Sequence, residues 1–256
     1  MKTFHFTVTG TPRLDLRLPL GDLRIVPGAA GSVNVSLDGR DAAVARMVVE
    51  QRGDVIHLEP DRSHGIRWSS VDVVVAVGEA PDVHARLTSG DLTISTDLAS
   101  LAVETASGEL VAGLVRGDAT IRSASGDVRL GNVAGRLDVA LASGDLRAEV
   151  VGTAEVKSAS GDIAVREVQG DVVARSASGD ITVGRFCGDR FDAKSMSGDV
   201  TFGVPPGRRF DVSFSTISGD VRTDFPVQGT AETGSPARLE VKTVSGDIRV
   251  KGVERR

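Results

Sequence analysis

Along residues 81–256 the apolar positions keep a beat tied to glycine. With a glycine counted as zero they fall at two, four and seven: Ile163, Val165 and Val168 after Gly161; Val172, Ala174 and Ala177 after Gly170; Ile181, Val183 and Phe186 after Gly179. Positions two and four share one face of an extended strand, because strand side chains alternate with period two. Position seven breaks that alternation, and a break in phase followed by glycine lets the chain turn a corner and still point side chains inward. From Gly108 to Gly207 a glycine arrives every eight to ten residues. The unit is a nonapeptide used in pairs.

This period excludes helices through the repeat, as do its glycine density and its Val, Ile and Thr content. Equal units with one inward pattern stack best by placing each residue on its counterpart one period later, in parallel register. The predicted fold is all-β: a parallel β-solenoid (β-helix) with about 18 residues per coil and two strand-bearing sides. Val165 should then neighbour Val183 and a residue close to Leu146 or Ala148, and Ala174 should neighbour Val156 and Ala193, with Arg175 facing outward.

Alternate nonapeptides end in Ser-x-Ser-Gly-Asp. The Gly-Asp pairs are Gly90-Asp91, Gly126-Asp127, Gly144-Asp145, Gly161-Asp162, Gly179-Asp180, Gly198-Asp199, Gly219-Asp220 and Gly246-Asp247, with Ser107-Gly108-Glu109 as a variant. The serines before them include Ser123 and Ser125, Ser158 and Ser160, Ser176 and Ser178, Ser195 and Ser197, with Thr105 and Thr243 as substitutes. Stacked, these predict hydroxyl and carboxylate ladders along one edge, while the other edge mixes Asn132, Glu167, Gln169, Arg185 and Cys187. Such residues make turns, since serine and aspartate hydrogen-bond nearby backbone and glycine takes the strained position. Carboxylates one rung apart repel unless satisfied, so Asp162, Asp180 and Asp199 should accept turn amides or serine hydroxyls. The competing reading is a calcium-binding β-roll, whose repeat is G-G-x-G-x-D-x-U-x; here each unit has one glycine, with the aspartate adjacent to it.

Residues 1–80 alternate like strands but lack the beat, as in Phe4-His5-Phe6-Thr7-Val8 and Val71-Asp72-Val73-Val74-Val75. They are read as a β-rich N-terminal cap or the start of the solenoid, with a hairpin across Gln51-Arg52-Gly53-Asp54. Residues 81–256 are the regular solenoid, interrupted by an excursion at 222–238. One last regular unit follows, and the charged end Lys251–Arg256 should blunt the final edge.

Thirty glycines against eight Phe, one Trp and no Tyr imply a thin core of small aliphatics. A formal net charge of −5 argues against a nucleic-acid partner, which phosphate would bind through a basic field. No run approaches the roughly 18 apolar residues of a membrane span, so direct membrane insertion is not expected. The polar-alternating start differs from a signal peptide, and the expected location is cytoplasmic. The single cysteine, Cys187, allows neither an internal disulfide nor a cysteine-cluster zinc site.

The search for chemistry returns little. His5, His57, His64 and His84 lie outside the regular repeat with no metal-ligand spacing among them. Ser63-His64-Gly65-Ile66-Arg67-Trp68 reads as a loop anchored by tryptophan, with a contact patch as the alternative. No nucleophile elbow, phosphate loop or isolated acid pair stands out. No catalytic, cofactor or metal residue is expected, and the chain is not read as an enzyme.

Val8-Thr9-Gly10-Thr11-Pro12 with Leu14-Asp15-Leu16, the phrase Ser-Ala-Ser-Gly-Asp-Ile at 158–163 and 176–181, and the closing Ser-Gly-Asp units at 218–220 and 245–247 resemble the bacterial putative-adhesin, or toastrack, family of β-strand repeat proteins. The resemblance covers most of the chain. It implies a β-solenoid without known catalytic residues, associated with cell-envelope stress systems beside membrane proteins or transcription regulators. Two functions are therefore carried forward. One is a non-catalytic scaffold that docks a protein partner; the other is a self-associating, adhesin-like structural protein built by end-to-end contact.

Overall fold

The computed structural model describes residues 1–61, 69–224 and 236–253. These are all-β apart from one four-residue helix, and the chain divides into two compact units, Met1–Gly131 and Asn132–Arg256. Among the described residues no helix is long and apolar enough to cross a membrane.

The first unit opens with β1 (Lys2–Thr7), β2 (Arg13–Leu20), β3 (Leu23–Pro27) and β4 (Ser32–Gly39), then helix α1 (Asp41–Val44). It continues with β5 (Met47–Arg52), β6 (Val55–Pro60), β7 (Val71–Val77), β8 (Asp82–Ser89), β9 (Leu92–Ile94), β10 (Ser100–Ser107), β11 (Leu110–Ala112) and β12 (Ala119–Ser125). β13 (Val128–Ser143) leads out of it. One side is the parallel series β6–β2–β8–β10–β12. The other is the parallel series β7–β3–β9–β11–β13. Antiparallel strands flank both series: β5 forms the expected hairpin with β6, and β1 and β4 lie against β7 in that order. Segment 1–80 thus supplies both antiparallel edge pieces and parallel strands. Leu14 of β2 sits level with Val83, far along the chain.

The second unit contains β14 (Leu146–Ser160), β15 (Ile163–Val168), β16 (Val172–Ser178), β17 (Ile181–Phe186), β18 (Arg190–Ser197) and β19 (Val200–Val204). It ends with β20 (Phe210–Ser218), β21 (Val221–Thr223), β22 (Ala237–Ser245) and β23 (Ile248–Gly252). The pairings described here are parallel. Val165 lies between Ala148 and Val183, and Ala174 between Val156 and Ala193, as the columns require. All six residues are buried, so these columns are the core.

Three expectations need correction. Ala177 is exposed while Ser176 is buried, so the half-unit before Ser-Gly-Asp keeps strict alternation and carries a serine, not an apolar residue, inward. Second, the last rung in sequence is not the last in space. β22 pairs with β18 on one edge and β20 on the other, and β23 likewise lies between β19 and β21. Among the described residues the outermost strands are β20 and β21, so Lys251–Gly252 do not blunt that edge; Glu254–Arg256 lie outside the described residues. Third, the aromatics are few but gathered: Phe186, Phe191, Phe202 and Phe214 form a chain of ring contacts, with Phe191 and Phe202 stacked at 4.3 Å. Phe191 and Phe202 come from opposite sides of the repeat, so this contact is face-to-face packing across the interior.

The core reading yields a stability test. Ala174→Phe should cost about 1–3 kcal/mol by overfilling a column flanked by Val156 and Ala193. The exposed Thr182→Val should stay within about 0.5 kcal/mol. Urea unfolding midpoints measure both.

Candidate functional site

The Ser-Gly-Asp edge is built by close approach of backbone. Gly161 and Gly179 have φ of 114° and 115°, a region that disfavours any residue with a Cβ. Contact reinforces conformation, because a Cβ on Gly179 would lie 2.3 Å from the Gly161 carbonyl oxygen. Steric exclusion thus selects glycine twice.

The aspartates have a definite role, narrower than the sequence suggested. In the second unit the Asp162 N–H donates to Asp145 Oδ1 at 3.0 Å, Asp180 to Asp162 at 2.9 Å, Asp199 to Asp180 at 2.8 Å, Asp247 to Asp199 at 2.8 Å and Asp220 to Asp247 at 2.9 Å. Each of the inner aspartates is donor through its backbone and acceptor through its side chain. The first unit runs the same ladder from Asp72 through Asp22 and Asp91 to the Glu109 amide. Asp22 and Asp72 escaped the sequence reading because neither follows Ser-Gly; the Gly21-Asp22 pair was the available signal. The second oxygen of Asp127, Asp145, Asp220 and Asp247 pairs with an arginine two residues on: Arg129, Arg147, Arg222 and Arg249. Acceptance of the Asp220 amide, and then the Arg249 bond and charge, holds the Asp247 carboxyl below its usual range.

Of the serines, those at the turn are exposed and those two residues earlier point inward. Ser123 and Ser158 hydroxyls donate to the Ser125 and Ser160 carbonyls, while Ser176 and Ser195 Oγ are buried without a hydrogen-bond partner. A carboxylate ladder also forms at the opposite corner, where Asp189 and Arg190 amides donate to Asp171 Oδ1. Beside it Cys187 is half-buried, its carbonyl accepting from the Arg208 guanidinium, which also pairs with Asp189.

The outer face of β14, β16, β18 and β22 carries a cation column, Lys157, Arg175, Lys194 and Lys242, beside Glu155, Asp192 and Glu240. Asp192 is only 3% exposed. Its burial pushes the carboxyl up, and hydrogen bonds and charge from Arg175 and Arg190 with the nearby Lys194 outweigh this, leaving it below the ordinary value. Glu155 and Glu240 are held low mainly by hydrogen bonds from Lys157 and Lys242. Arg175 is outward as expected, but it is the partner of a buried carboxylate.

Register also joins residues that the sequence keeps apart. Asp15 lies level with His57 on one neighbouring strand and His84 on the other, with Nδ1 atoms 3.4 Å and 3.6 Å from its two oxygens. Only the parallel order β6–β2–β8 could have revealed this. Among the described residues no group of three or more His, Cys, Asp or Glu is arranged to hold a metal ion. His5 Nδ1 meets Asn34 Oδ1 at 2.7 Å. His64, Trp68 and their loop lie outside the described residues.

The glycine corners and aspartate ladder recur across most of the chain, and so does a family profile: that of Toastrack DUF4097 matches residues 22–251. The chain belongs to the Toastrack family. Its fold is similar to that of a putative adhesin from Bacteroides fragilis, at 16% identity and TM-score 0.54, covering 98% of this chain and 96% of that one. A putative adhesin from Parabacteroides distasonis aligns at 12% identity and TM-score 0.49, over 98% and 96% of the two chains. A putative lipid binding protein from the same species aligns at 12% identity and TM-score 0.38, over 97% and 96%. No curated protein matches the sequence. At 16% identity the likeness to the Bacteroides fragilis protein shows a shared fold and no more.

Two measurements test the edge and the charged face. Gly179→Val should destabilise the chain by more than about 1 kcal/mol, through strain at positive φ and the carbonyl approach, as read by chemical unfolding. Asp192 has a lowered carboxyl, so its stabilising contribution is complete above the ordinary aspartate value of 3.8 and is lost as pH falls through the lowered folded value. Asp192→Asn should therefore lower stability at neutral pH and flatten the fall in Tm below about pH 4.

Proposed function

We propose that this chain is a non-catalytic β-solenoid scaffold of about eighteen residues per coil, acting as a docking module for another protein. The observation that carries this reading is the ordered charge face of β14, β16, β18 and β22. Four cations stand there in register, with Glu155, Asp192 and Glu240 beside three of them and Val173 at the fourth place, and the buried Asp192 pins the face. Arg175, Arg190 and Lys194 hold their groups in place around one carboxylate, so part of the ordering cost of a charged interface is met before a partner arrives. Glu155, Asp192, Glu240 and Asp247, whose ionisation is displaced, are counter-ions of Arg or Lys, which suits recognition better than acid–base chemistry. The partner fitted by such a face is a protein surface of mixed charge. Family resemblance points to an envelope-stress setting for it.

The alternative is adhesin-like assembly, suggested by the name of the Bacteroides fragilis protein of similar fold. The two readings part in a crosslinking experiment with tagged chain in its native host. A scaffold should retain one stoichiometric protein that is lost when Lys194→Glu and Lys242→Glu invert the ladder, with Tm within a few degrees of wild type. Retention of the same protein by the inverted chain would refute docking through this face.

A further inference from the structure

Three turns of the second unit differ from the others at one exposed place. The residue two before the corner glycine is alanine in earlier turns, Ala106, Ala124, Ala142, Ala159 and Ala177. On the neighbouring strands β18, β22 and β20 it becomes Met196, Val244 and Ile217, with 64%, 48% and 81% exposure. Pairing sets Ser195 and Ser197 level with Thr243 and Ser245, and Thr216 and Ser218 level with the same two, so the three apolar side chains stand in one row. Three rungs at about 4.8 Å make that row about 10 Å long. Ser195 and Thr243, one residue earlier, are buried, so by alternation the row points away from the core.

The adjoining row on the same face is cationic. Two residues before Met196 and Val244 stand Lys194 and Lys242, level with each other, and Arg175 of β16 is level with Lys194. On the outer face of β16, β18, β22 and β20, the cations Arg175, Arg190, Lys194, Arg238 and Lys242 outnumber the carboxylates Asp192, Glu240 and Asp211. On the corner side of the row the aspartates carry arginine counter-ions: Arg249 pairs with Asp199 and Asp247, and Arg222 with Asp220. An anion that approaches the row meets excess positive charge on one side and balanced charge on the other.

We infer that this row is a peripheral attachment site for an anionic lipid surface, with Met196, Val244 and Ile217 in the headgroup region and Lys194 and Lys242 at the lipid phosphates. Charge complementarity selects the occupant. Exposed apolar residues backed by lysines on one face match the pattern by which peripheral elements lie in a membrane interface without spanning it. Lysine suits the second row, because its stem lies along apolar surface while its ammonium reaches the phosphate level. The exposed Ser197, Ser245 and Ser218 follow the apolar row and add hydroxyls for headgroup hydrogen bonds. Protein partners are anchored chiefly by Trp, Tyr and Arg, and the apolar row contains none of them. The two lysines also belong to the charged face, but the inference does not rest on the docking reading, since lipid alone is its ligand.

The test is cosedimentation of the purified full chain with vesicles of phosphatidylcholine alone and of equimolar phosphatidylcholine and phosphatidylglycerol. Wild type should bind the mixed vesicles and not those of phosphatidylcholine. Met196→Ser with Ile217→Ser, and separately Lys194→Gln with Lys242→Gln, should each weaken binding about tenfold while urea midpoints stay at the wild-type value. Ile217→Trp should tighten binding, and its emission should shift to the blue on mixed vesicles alone. Wild type that ignores mixed vesicles, binds both kinds equally, or is indifferent to either pair of substitutions would overturn the inference. So would loss of a crosslinked host protein in Met196→Ser with Ile217→Ser while vesicles go unbound, which assigns the row to a protein surface. Purified chain and lipid are the only components of the vesicle assay, so its result stands apart from the fate of the docking reading.

Discussion

Everything in this molecule depends on how closely one corner can lie on the next. A parallel ladder needs successive strands at about 4.8 Å, and at a corner the chain must hold that spacing while changing direction. The positive-φ glycines meet both demands by removing the atom that would strike the carbonyl below, as Gly179 does over Gly161. Once backbone passes that near to backbone, the residue after the glycine presents its amide to the rung beneath. An aspartate there is the shortest side chain that offers a carboxylate to this amide, and its own amide is offered onward in turn. Like charges in a column are tolerated because each carboxylate is bound to an N–H, and several are bound to arginine as well.

That constraint explains the composition. Two strand faces held this close leave room for Val, Ile, Leu and Ala and little else, and the columns are filled accordingly. Aromatic volume gathers next to where units lengthen: the steps from Val172 to Phe191 and from Val183 to Phe202 run 19 residues, against 18 from Val168 to Phe186. Inward serines sit where the strand runs into the corner. Ser123 and Ser158 return their hydroxyls to backbone, whereas Ser176 and Ser195 remain buried without a partner, a local cost the repeat carries without compensation in their immediate hydrogen bonding.

The legible part of the fold was the part that repeats. Glycine spacing places Val165 beside Val183 and close to Leu146 or Ala148, because a fixed period converts sequence distance directly into spatial neighbourhood, and the register sets it on Ala148. What period cannot supply is the order of rungs once the spacing varies. Rungs at 210–223 and 237–252 both end a strand in Ser-Gly-Asp, so either could be stacked on β18 and β19, and nothing local decides which lies outermost. The same limit hid the Asp15 cluster: His57 and His84 meet Asp15 only because β2 is inserted between β6 and β8. Likewise Arg175 looked like an idle outward residue until the register set Asp192 beside it, a contact between neighbouring strands that no pattern within either strand records.

The inserted rung is itself understandable in terms of what each strand can bury. Ala237, Leu239 and Val241 are small enough to lie between two neighbours at ladder spacing, and they are fully buried there. Phe210 and Phe214 are bulkier than Ala237 and Val241 at the matching places, and among the described residues β20 has no strand on its other side to crowd them. Loop entropy offers little resistance, since lengthening a connection raises the cost of closing it only logarithmically. The chain can therefore leave β19, lay down β20 and β21 one rung away, and return to fill the gap. The arrangement places small aliphatics in the sandwiched rung and phenylalanine at the exposed one. An end so furnished leaves Val212 and Phe214 half-buried, where Leu239 and Val241 beside them are fully buried.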